Sequence, residues 1–349
     1  MGTVTRWIFH MDLDQFIVAV ELLRRPELVG KPVVVGGDGD PTKRGVVSTA
    51  NYEAREFGIR SAMPLRTAFK RRPDAVFLPV DSETYLAASR TVMDTLRTFP
   101  AVVQEAGWDE AFLDVESEDP EGLARDIQLA VLERTRLWCS IGVGDTKLRA
   151  KMASGFAKPQ GVFRLTRDNW DQVMGARATA ELWGIGRKTA AKLTELGIHT
   201  VDDLARAGDD TLARRFGPNT GPWLKELATG EGGSPVTDEP YVPRGHGRER
   251  TFQQDLTDAD EIRRGVAQLA RELMEDLRKD GRPVVRVIVK VRFAPFFTST
   301  HGAKLPEPTT DAVAIETAAL GALERFELDR PVRLLGVRAE FTREAAPDG

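Results

Sequence analysis

The chain has 349 residues, of which 41% are hydrophobic and 29% are charged, and its formal net charge is −4. This length exceeds what one hydrophobic core usually supports, so we expect two to four domains of an ordinary globular protein. There is no apolar run of 18 residues and no secretory signal pattern at the start, which excludes a membrane span and favours the cytoplasm. The single cysteine, Cys139, excludes an internal disulfide framework and a cysteine-based zinc site.

The charge is unevenly distributed along the chain. Residues 147–164 and 282–304 each contain five basic residues and no acidic one. A negative net charge argues weakly against a nucleic-acid partner, but binding depends on the local field. The two basic stretches therefore remain candidate contacts for an anionic partner.

In chain order, strands alternate with helices over the first 170 residues. Predicted strands lie at 7–12, 31–36, 45–49, 102–115 (two strands that turn at Gly107–Trp108) and 139–143. Predicted helices lie at 15–24, from 52 onward, 82–99 and 123–137. This alternation predicts a mixed α/β sheet with helices on one face.

Residues 171–232 have a helical pattern broken by glycines, and residues 230–243 are rich in Gly and Pro without a period, which is typical of a linker. The remainder predicts a compact βαββαβ unit. Its elements are strand 244–252, helix 261–280, strand 284–293, strand 296–302, helix 311–326 and strand 332–341.

Two strands of this unit have alternating basic residues. In the second predicted strand one face holds Val285, Val287, Val289, Val291 and Phe293, and the other holds Arg286, Ile288, Lys290 and Arg292. The first strand has the same alternation, with Arg244, His246, Arg248 and Arg250 on one face. A solvated charged face is one interpretation. A phosphate backbone is favoured, because two faces of the same sign repel each other unless an anion lies across them.

Two acidic pairs lie at the ends of apolar strands. Asp12 and Asp14 end the first strand, and Asp109 and Glu110 lie beside the hairpin turn. One such pair is usually a turn or a cap, but adjacent buried carboxylates repel unless cations neutralise them. Oxygen ligands select Mg²⁺ or Mn²⁺, and two such ions can hold the attacking and leaving oxygens of phosphoryl transfer. Asp114 is expected to be structural.

The segment STANYEAR follows a strand and enters a helix. Its Thr49, Tyr52 and Arg55 could present a hydroxyl, a phenol and a guanidinium to one triphosphate, and Lys158 adds a cation. The alternative for this segment is an ordinary capped helix with a surface arginine.

These motifs occur together and in order across residues 7–341. They are DLDQF, GKPVVVGG, STANYEAREFGI, DEAFLD, AKPQG, LWGIGRKTAAKLTELGI and GRERTF. The ordered set resembles the Y-family translesion DNA polymerases of the DinB or polymerase IV type. The resemblance implies a template-directed, low-fidelity, lesion-bypass DNA polymerase that acts as a monomer on primer-template DNA.

The resemblance also implies a multidomain α/β (α+β) fold shaped as a right hand. Its expected parts are a palm at 1–14 and 81–170, fingers at 15–80, a thumb with a helix-hairpin-helix turn at 171–232, a linker at 233–243, a little finger at 244–341 and a tail at 342–349.

By the same resemblance, Asp12, Asp109, Glu110 and the main-chain carbonyl of Leu13 hold two Mg²⁺ ions, for which Mn²⁺ can substitute. The expected contacts of the incoming nucleotide are Asp14, Gln15, Phe16, Ile17, Thr49, Tyr52, Arg55 and Lys158. Small side chains would line the roof over the new base pair and leave room for damaged bases; they are Val46, Ser48 and Ala62.

Gly184 and Gly186 resemble the phosphate-binding turn of a helix-hairpin-helix, with Arg187 and Lys188 adding charge. Such contacts carry no sequence information, as a polymerase requires. Without the family context, a plain glycine turn between helices is equally plausible. Further DNA contacts are expected from Arg244, Arg248, Arg250, Arg286, Lys290 and Arg292.

The chain departs from the family pattern at Ile17, where an aromatic ring normally excludes a ribose 2′-hydroxyl. We therefore expect rNTPs to be accepted as well as dNTPs, because steric exclusion weakens when the blocking volume is removed. The alternative is that the stiff, β-branched Ile17 still blocks the hydroxyl.

A second departure is at the tail. Many family members end with a Gln-led hydrophobic peptide that docks on the sliding clamp, whereas this chain ends AEFTREAAPDG. A clamp tether of that kind is therefore doubtful, and low processivity is expected.

Two other function classes share some of these features. A nucleotide cyclase or another palm-type nucleotidyltransferase would use the paired carboxylates, but it needs neither the thumb turn nor the basic βαββαβ unit. A DNA-binding protein that has lost catalysis would keep the basic surfaces, but the three intact carboxylates argue against it.

Overall fold

The computed structural model describes residues 5–342, and the chain divides into two compact units. The first contains Gly45–Glu239 together with the residues before Thr42, and the second contains Thr42–Arg44 and the chain from Pro240 onward. Within residues 5–342 no helix is long and apolar enough to cross a membrane.

The first unit is built from eight strands and eleven α-helices within the described residues. Its strands are β1 Arg6–Leu13, β2 Val33–Val35, β3 Thr49–Ala50, β4 Val76–Leu78, β5 Ala101–Glu105, β6 Glu110–Glu116, β7 Cys139–Gly144 and β8 Val162–Leu165. Its helices are α1 Phe16–Arg24, α2 Tyr52–Glu56, α3 Leu65–Arg71, α4 Ser82–Leu96, α5 Pro120–Thr135, α6 Lys147–Ala157, α7 Arg167–Met174, α8 Arg187–Thr194, α9 Val201–Arg206, α10 Asp209–Phe216 and α11 Thr220–Ala228.

The main sheet of this unit has the order β5-β6-β1-β7-β8, and β1 lies antiparallel between β6 and β7. Phe9 and Met11 of β1 are fully buried in a core that also contains Tyr85 of α4 and Ile127 of α5. Alternation along a strand places these side chains on one face of the sheet. A separate small sheet has the order β3-β2-β4.

Helices cover both faces of the main sheet, so the expectation of helices on one face is wrong. His10 alternates with Phe9 and Met11 along β1, and its Nδ1 lies 2.8 Å from Oγ of Ser154 on α6. A Cβ on Gly142 of β7 would lie 2.0 Å from the carbonyl oxygen of Ala150 of α6. Glycine therefore lets the helix backbone lie directly on the second face.

The predicted strand at 45–49 is also largely wrong. Only Thr49–Ala50 pairs with β2, and Val46 makes an isolated bridge with Pro64. The reason is a competing set of backbone bonds: the amide of Val47 donates to the carbonyl of Met63, and the amide of Ala62 donates to the carbonyl of Val47.

Helices α7 to α11 surround a second core, to which Leu148 and Ala153 of α6 and Leu165 of β8 also belong. Trp170, Leu193, Leu204 and Leu224 are buried in it, and the indole nitrogen of Trp170 donates to the carbonyl of Ala228 at 2.8 Å. These helices are short, so their stability comes from this shared apolar packing rather than from helix propensity.

The second unit has the predicted βαββαβ order. Its elements are β9 Gly245–Leu256, α12 Ala259–Asp280, β10 Val284–Phe293, β11 Phe297–Thr309, α13 Ala312–Leu323 and β12 Val332–Phe341. The sheet has the order β11-β10-β12-β9, and both helices contribute to one apolar core with it. Val284, rather than the predicted Val285, lies in this core, because a register shift between Val284 and Arg286 changes the alternation.

Candidate active site

Antiparallel pairing brings the two acidic segments of the first unit together. Asp12 of β1 and Glu110 of β6 are direct cross-strand partners. The amide of Leu13 donates to the carbonyl of Asp109 at 2.8 Å, so Asp109 continues the same pairing. Three carboxylates from two distant segments of the chain therefore meet at one end of the main sheet.

Electrostatics indicate that these groups act on one another. Burial raises the pKa of Asp109, and the negative charges of Asp12 and Glu110 raise it further. Two lysines supply compensating charge: the ammonium of Lys158 pairs with Asp12, and that of Lys151 pairs with Glu110. The cluster is thus a concentrated negative charge, and two of its three carboxylates are neutralised by lysine ammonium groups.

His10 is a member of this site that the sequence reasoning missed. Its side chain is fully buried, and its Nε2 lies 3.2 Å from Nζ of Lys151 and 3.4 Å from Oε2 of Glu110. Its contact with Glu110, together with the Lys151 ammonium, lowers the pKa of Glu110 to about 2. Burial lowers the pKa of His10 itself, which keeps the ring neutral near pH 7.

Ser154 fixes the orientation of that imidazole. Its Oγ contacts Nδ1 of His10 and also donates to the carbonyl of Lys151 at 2.9 Å. A polar residue in an otherwise apolar strand was the available signal for His10, because only a partnered polar group is stable in such a position. Lys151 lay within the basic stretch 147–164 but carried no motif of its own.

Asp14 is buried and its oxygens are occupied by protein donors. Ser140 Oγ donates at 3.0 Å, the amide of Gln160 at 2.8 Å and the hydroxyl of Tyr52 at 3.2 Å. These bonds tie β1 and α2 to the segment after α6. The structure therefore gives Asp14 a role in holding other site residues.

The side chains of Gln15 and Phe16 also contact other parts of the protein. The side-chain oxygen of Gln15 accepts from the amide of Tyr52 at 2.8 Å, which fixes the start of α2. The ring of Phe16 is 3% exposed and lies in the core of the main sheet. A contact between Phe16 and a nucleotide would thus have to come from its main chain.

Tyr52 and Arg55 lie side by side on α2. The guanidinium carbon of Arg55 is 5.1 Å from the centre of the Tyr52 ring, and its Nε donates to the carbonyl of Ala50 at 2.8 Å. Burial, followed by the charge of Asp14, raises the pKa of Tyr52, so its phenol stays protonated. Thr49 is half-buried in β3, directly before this helix.

Ile17 is half-buried in the first turn of α1 and packs against the core of the main sheet. The three small residues expected to line a roof differ in exposure. Val46 is 52% exposed, Ser48 is half-buried, and Ala62 is exposed with a left-handed φ of 66°.

The predicted phosphate-binding turn has the conformation that glycine favours. Gly184 has φ of 95°, and a Cβ there would lie 3.1 Å from the Trp223 ring. Gly186 lies directly before α8, and a Cβ there would meet no atom within 4 Å, so its backbone is open to approach. Arg187 and Lys188 follow it and are exposed.

The two predicted basic strands of the second unit face opposite sides of its sheet, so the expected common face is wrong. Arg248 pairs with Asp276 and Arg250 with Glu272, both on α12. The first residue of the pattern, Arg244, lies just before β9. Because β9 directs these side chains toward the helix, its arginines are paired with acidic partners there.

The open side of that sheet is nonetheless basic. Arg286, Lys290 and Arg292 of β10 alternate with the buried valines, and the register places Lys304 beside Arg286 and Arg338 beside Ile288. Lys290 pairs with Glu249, and Arg286 lies 3.8 Å from Glu340. Cations thus outnumber acids on this face among the residues described.

The chain matches known protein families over most of its length. The impB/mucB/samB family matches residues 11–155, and the C-terminal domain of that family matches residues 243–347. Residues 180–231 match the thumb domain of DNA polymerase iota. A DNA polymerase IV 2 from Mycobacterium bovis is 49% identical over 340 residues, covering 96% of this chain and 98% of the relative.

The chain is a DinB-type Y-family polymerase. Among solved structures, the Y-family chimera Dbh-Dpo4(243-245)-Dbh is similar to this DinB-type polymerase with a TM-score of 0.85 and 27% identity. An insertion ternary complex of Dbh DNA polymerase is similar with a TM-score of 0.67 and 28% identity. Each comparison covers 96% of this chain and 98% of the other.

The family match confirms the resemblance, the right-hand polymerase fold class and the assignment as a DNA-directed DNA polymerase of the translesion type. It favours the assignment as a polymerase over the alternative assignment as a nucleotide cyclase. The domain boundaries and the roles of individual site residues stay predictions.

Proposed function

We propose that this DinB-type polymerase extends primers on template DNA past damaged bases, using two divalent cations held by Asp12, Asp109 and Glu110. The observation that carries the proposal is the β1–β6 register, which makes Asp12 and Glu110 direct partners next to Asp109. Carboxylates that repel one another in a partly buried position are the arrangement that a divalent cation stabilises.

The donor set fits Mg²⁺, since it consists of carboxylate oxygens with no sulfur ligand. Within residues 5–342 no three His, Cys, Asp or Glu side chains converge on a metal position as they stand. The reason is local: Asp12 and Glu110 are turned toward Lys158 and Lys151. We infer that Asp12 and Glu110 would have to leave these ammonium groups in order to hold a cation, and that Mn²⁺ would meet the same requirements as Mg²⁺.

The cations, when bound, supply Lewis-acid activation of the primer hydroxyl and neutralise the charge of the leaving pyrophosphate. The chain's own residues bind and orient the substrates. Lys158, once released from Asp12, can bind the triphosphate together with Thr49, Tyr52 and Arg55, and the carbonyl of Leu13 would add an oxygen ligand to the carboxylates. The single proton of the Tyr52 phenol is donated to Asp14, so Tyr52 would have to give up that bond in order to donate to a phosphate oxygen.

The positioning residues are His10, Lys151 and Asp14. Before a cation binds, His10 and Lys151 hold Glu110 in place and ionised, and Asp14 fixes Tyr52 relative to the strand that carries Asp12. All three are at least half-buried and partnered, so we expect them to keep fixed positions around the carboxylates before the substrates arrive.

Substrate tolerance belongs to the same proposal. Small or exposed residues at Val46, Ser48 and Ala62 would leave space above the new base pair for a damaged base. Ile17 lacks a ring edge to exclude a ribose 2′-hydroxyl, so we propose that rNTPs are used alongside dNTPs. Low fidelity follows from the same open geometry.

Partners and location stay predictions. Primer-template DNA and nucleotides follow from the family, and we propose that the enzyme acts as a monomer. The expectation that a clamp tether is doubtful concerns the segment AEFTREAAPDG, of which residues 343–349 lie outside the described part of the chain. The cytoplasmic location expected from the sequence also stays a prediction.

The test is the substitution Asp109→Asn with primer extension, DNA binding and thermal unfolding as readouts. Removing one of three mutually repelling charges should stabilise the metal-free protein by about 0.5–2 kcal/mol, the usual gain when an unfavourable functional charge is removed. Extension should fall at least 100-fold while binding to primer-template DNA is retained, and the Mg²⁺-dependent rise in Tm should disappear.

The matched control is Glu105→Gln, which changes an exposed carboxylate of the same hairpin that pairs with Arg97. It should keep full extension and the full Mg²⁺ response. Extension by Asp109→Asn at the wild-type rate, or an unchanged Mg²⁺ response in that variant, would contradict the proposed cation site.

A further inference from the structure

The hairpin between β10 and β11 carries an exposed aromatic pair. Phe296 is 67% exposed and Phe297 is 54% exposed, and they are adjacent in the chain. The neighbouring Phe293, in contrast, is 2% exposed, and it is the direct cross-strand partner of Phe297. Two adjacent phenyl rings left in water at a turn indicate a surface that meets a partner.

Arginines lie against these rings. The guanidinium carbon of Arg330 is 4.6 Å from the centre of the Phe297 ring and 4.9 Å from that of Phe293. The guanidinium carbon of Arg333 is 4.8 Å from the centre of the Phe296 ring. We call Phe296, Phe297, Arg330 and Arg333 the aromatic hairpin surface.

The surrounding charge is positive. It comes from Arg330 and Arg333, whereas Arg292, which donates to Thr298 Oγ1 at 2.9 Å, lies on the other face of the same strand pair. Asp329 lies 3.5 Å from Arg330, and Asp255, whose pKa is lowered by Arg44 and by Arg333, is already paired with Arg44. A ligand for this surface therefore needs flat apolar faces and negative charge together.

Single-stranded nucleic acid has both properties. Its bases stack on aromatic rings and on guanidinium planes, and its phosphates pair with arginine. An acidic peptide would be attracted to the arginines but would not use two exposed phenyl rings. Duplex DNA is excluded from such stacking because its bases already stack on each other.

We propose that the aromatic hairpin surface binds the unpaired 5′ overhang of the template strand by stacking bases on Phe296 and Phe297. This inference rests on the proposed function only in taking primer-template DNA as the substrate. The contact is independent of sequence, because every base presents a flat face. It would hold the template whether or not its bases are damaged.

The experiment measures the affinity of the full chain for two DNAs by fluorescence anisotropy. One is a primer-template with an eight-nucleotide 5′ template overhang, and the other is the same duplex with blunt ends. Wild type should bind the overhang DNA more tightly. The double variant F296A/F297A should lose about 5-fold or more of its affinity for the overhang DNA, since one lost stacking contact weakens binding by about that factor. Its affinity for the blunt duplex should be unchanged.

Two further variants separate stacking from a general loss of fold. F296Y/F297Y keeps both rings and should restore wild-type affinity. Val313→Ala removes a 71% exposed apolar side chain from the start of α13 and should have no effect. Circular dichroism and thermal unfolding of F296A/F297A should match wild type, since the rings are exposed.

The outcomes are distinguishable. Equal affinity of wild type and F296A/F297A for the overhang DNA would overturn the inference, as would an equal loss on blunt duplex. A further outcome is that F296A/F297A keeps its affinity for the overhang DNA but no longer binds an acidic peptide probe such as oligo-glutamate. The surface would then be a protein-docking site, and the inference would again be overturned. Failure of wild type to extend the primer in the same preparations would count against the proposed function and not against this surface.

Discussion

At the scale of single residues, the candidate active site is a balance of charges. Asp109 has a pKa raised by burial and by its acidic neighbours, whereas Glu110 has a pKa of about 2 because His10 and Lys151 stabilise its ionised form. Adjacent residues of one turn thus experience opposite environments. If the proposed cation site is correct, Asp109 would gain most from a bound cation, because its charge is repelled by its acidic neighbours.

The prediction at Ile17 concerns sugar selectivity. Ile17→Phe adds a ring where the branched aliphatic side chain now ends, and we expect the preference for dNTPs over rNTPs to rise about 10-fold or more. Single-nucleotide insertion with matched dNTP and rNTP substrates measures the ratio of kcat/KM values. The insertion of dNTPs should change little.

Ile17→Leu provides the matched control, because it keeps an aliphatic side chain of the same size. Its selectivity should remain near that of wild type. An unaltered ratio in Ile17→Phe would show that Ile17 already excludes the 2′-hydroxyl or does not face the sugar.

At the scale of elements, the turn before α8 contains two glycines with different surroundings. One is packed against a side chain, and the backbone of the other is accessible. Gly184 has a left-handed φ and lies against Trp223, whereas Gly186 has no neighbour near a would-be side chain. The first glycine is therefore required by the fold, and the second is available for a close approach to phosphate.

The paired substitutions Gly184→Ala and Gly186→Ala test this division. Gly184→Ala should destabilise the protein by about 1–2 kcal/mol, because alanine is strained at positive φ and its Cβ meets the Trp223 ring. Gly186→Ala should leave stability within about 0.5 kcal/mol of wild type and still weaken DNA binding. Urea unfolding and anisotropy measure the two effects, and unchanged DNA affinity in Gly186→Ala would rule out the phosphate contact.

The sheet of the second unit gives a second prediction at this scale, for Lys290 and Arg248. Lys290→Gln should weaken DNA binding and reduce the slope of log affinity against log salt by about 1, because Lys290 lies on the open basic face. Arg248→Gln should leave that slope unchanged and lower stability slightly, because Arg248 pairs with Asp276 on α12. DNA affinity measured over a range of salt concentrations for both variants tests this difference. Equal slopes of log affinity against log salt in the two variants would indicate that both faces of the sheet, or neither, contact DNA.

At the scale of the whole molecule, stability rests on several separate cores. The main sheet, the helices from α7 to α11 and the second unit each bury their own apolar cluster. These cores were foreseeable from periodic runs of apolar residues in the sequence. Because the chain has two compact units, a single unfolding transition is not required.

Stability of the whole chain should fall in acid. Asp203 has its pKa lowered to about 2 by the backbone and side chain of Thr200, and Asp280 has its pKa lowered well below the usual range by Arg282 and by His246. A carboxyl with a depressed folded-state pKa stabilises the protein above its unfolded pKa of about 4, and this contribution is lost as the pH falls toward 2. The urea midpoint should therefore decrease steadily from pH 5 to pH 3.

The variant Asp280→Asn isolates one contribution to this dependence. It should be less stable than wild type at pH 7 and should lose less stability on acidification, since it has no carboxylate to protonate. Parallel pH profiles for the two proteins would contradict the assignment to Asp280.

Part of the fold and the main residues of the candidate site could be predicted from the sequence alone. Apolar periodicity predicted the order of elements in the second unit and part of that in the first, because burial requires alternation in strands and a 3.6-residue repeat in helices. It did not predict α3, β4, α6 or β8 of the first unit. The carboxylate pairs were identified by their position at strand ends, and the family resemblance supplied the class of enzyme. The exact ends of β3, β9 and β11 could not be predicted, because loop backbone bonds and sheet partners set them.

Only the tertiary structure decided which side chains meet. His10 and Lys151 join Glu110 because α6 lies on a face of the sheet made accessible by Gly142, a contact that no local pattern encodes. Likewise Arg248 turned out to face α12, since strand alternation gives two faces but does not say which one a helix covers. Local sequence sets periodicity, whereas the partner of each face is set by packing between segments far apart in the chain.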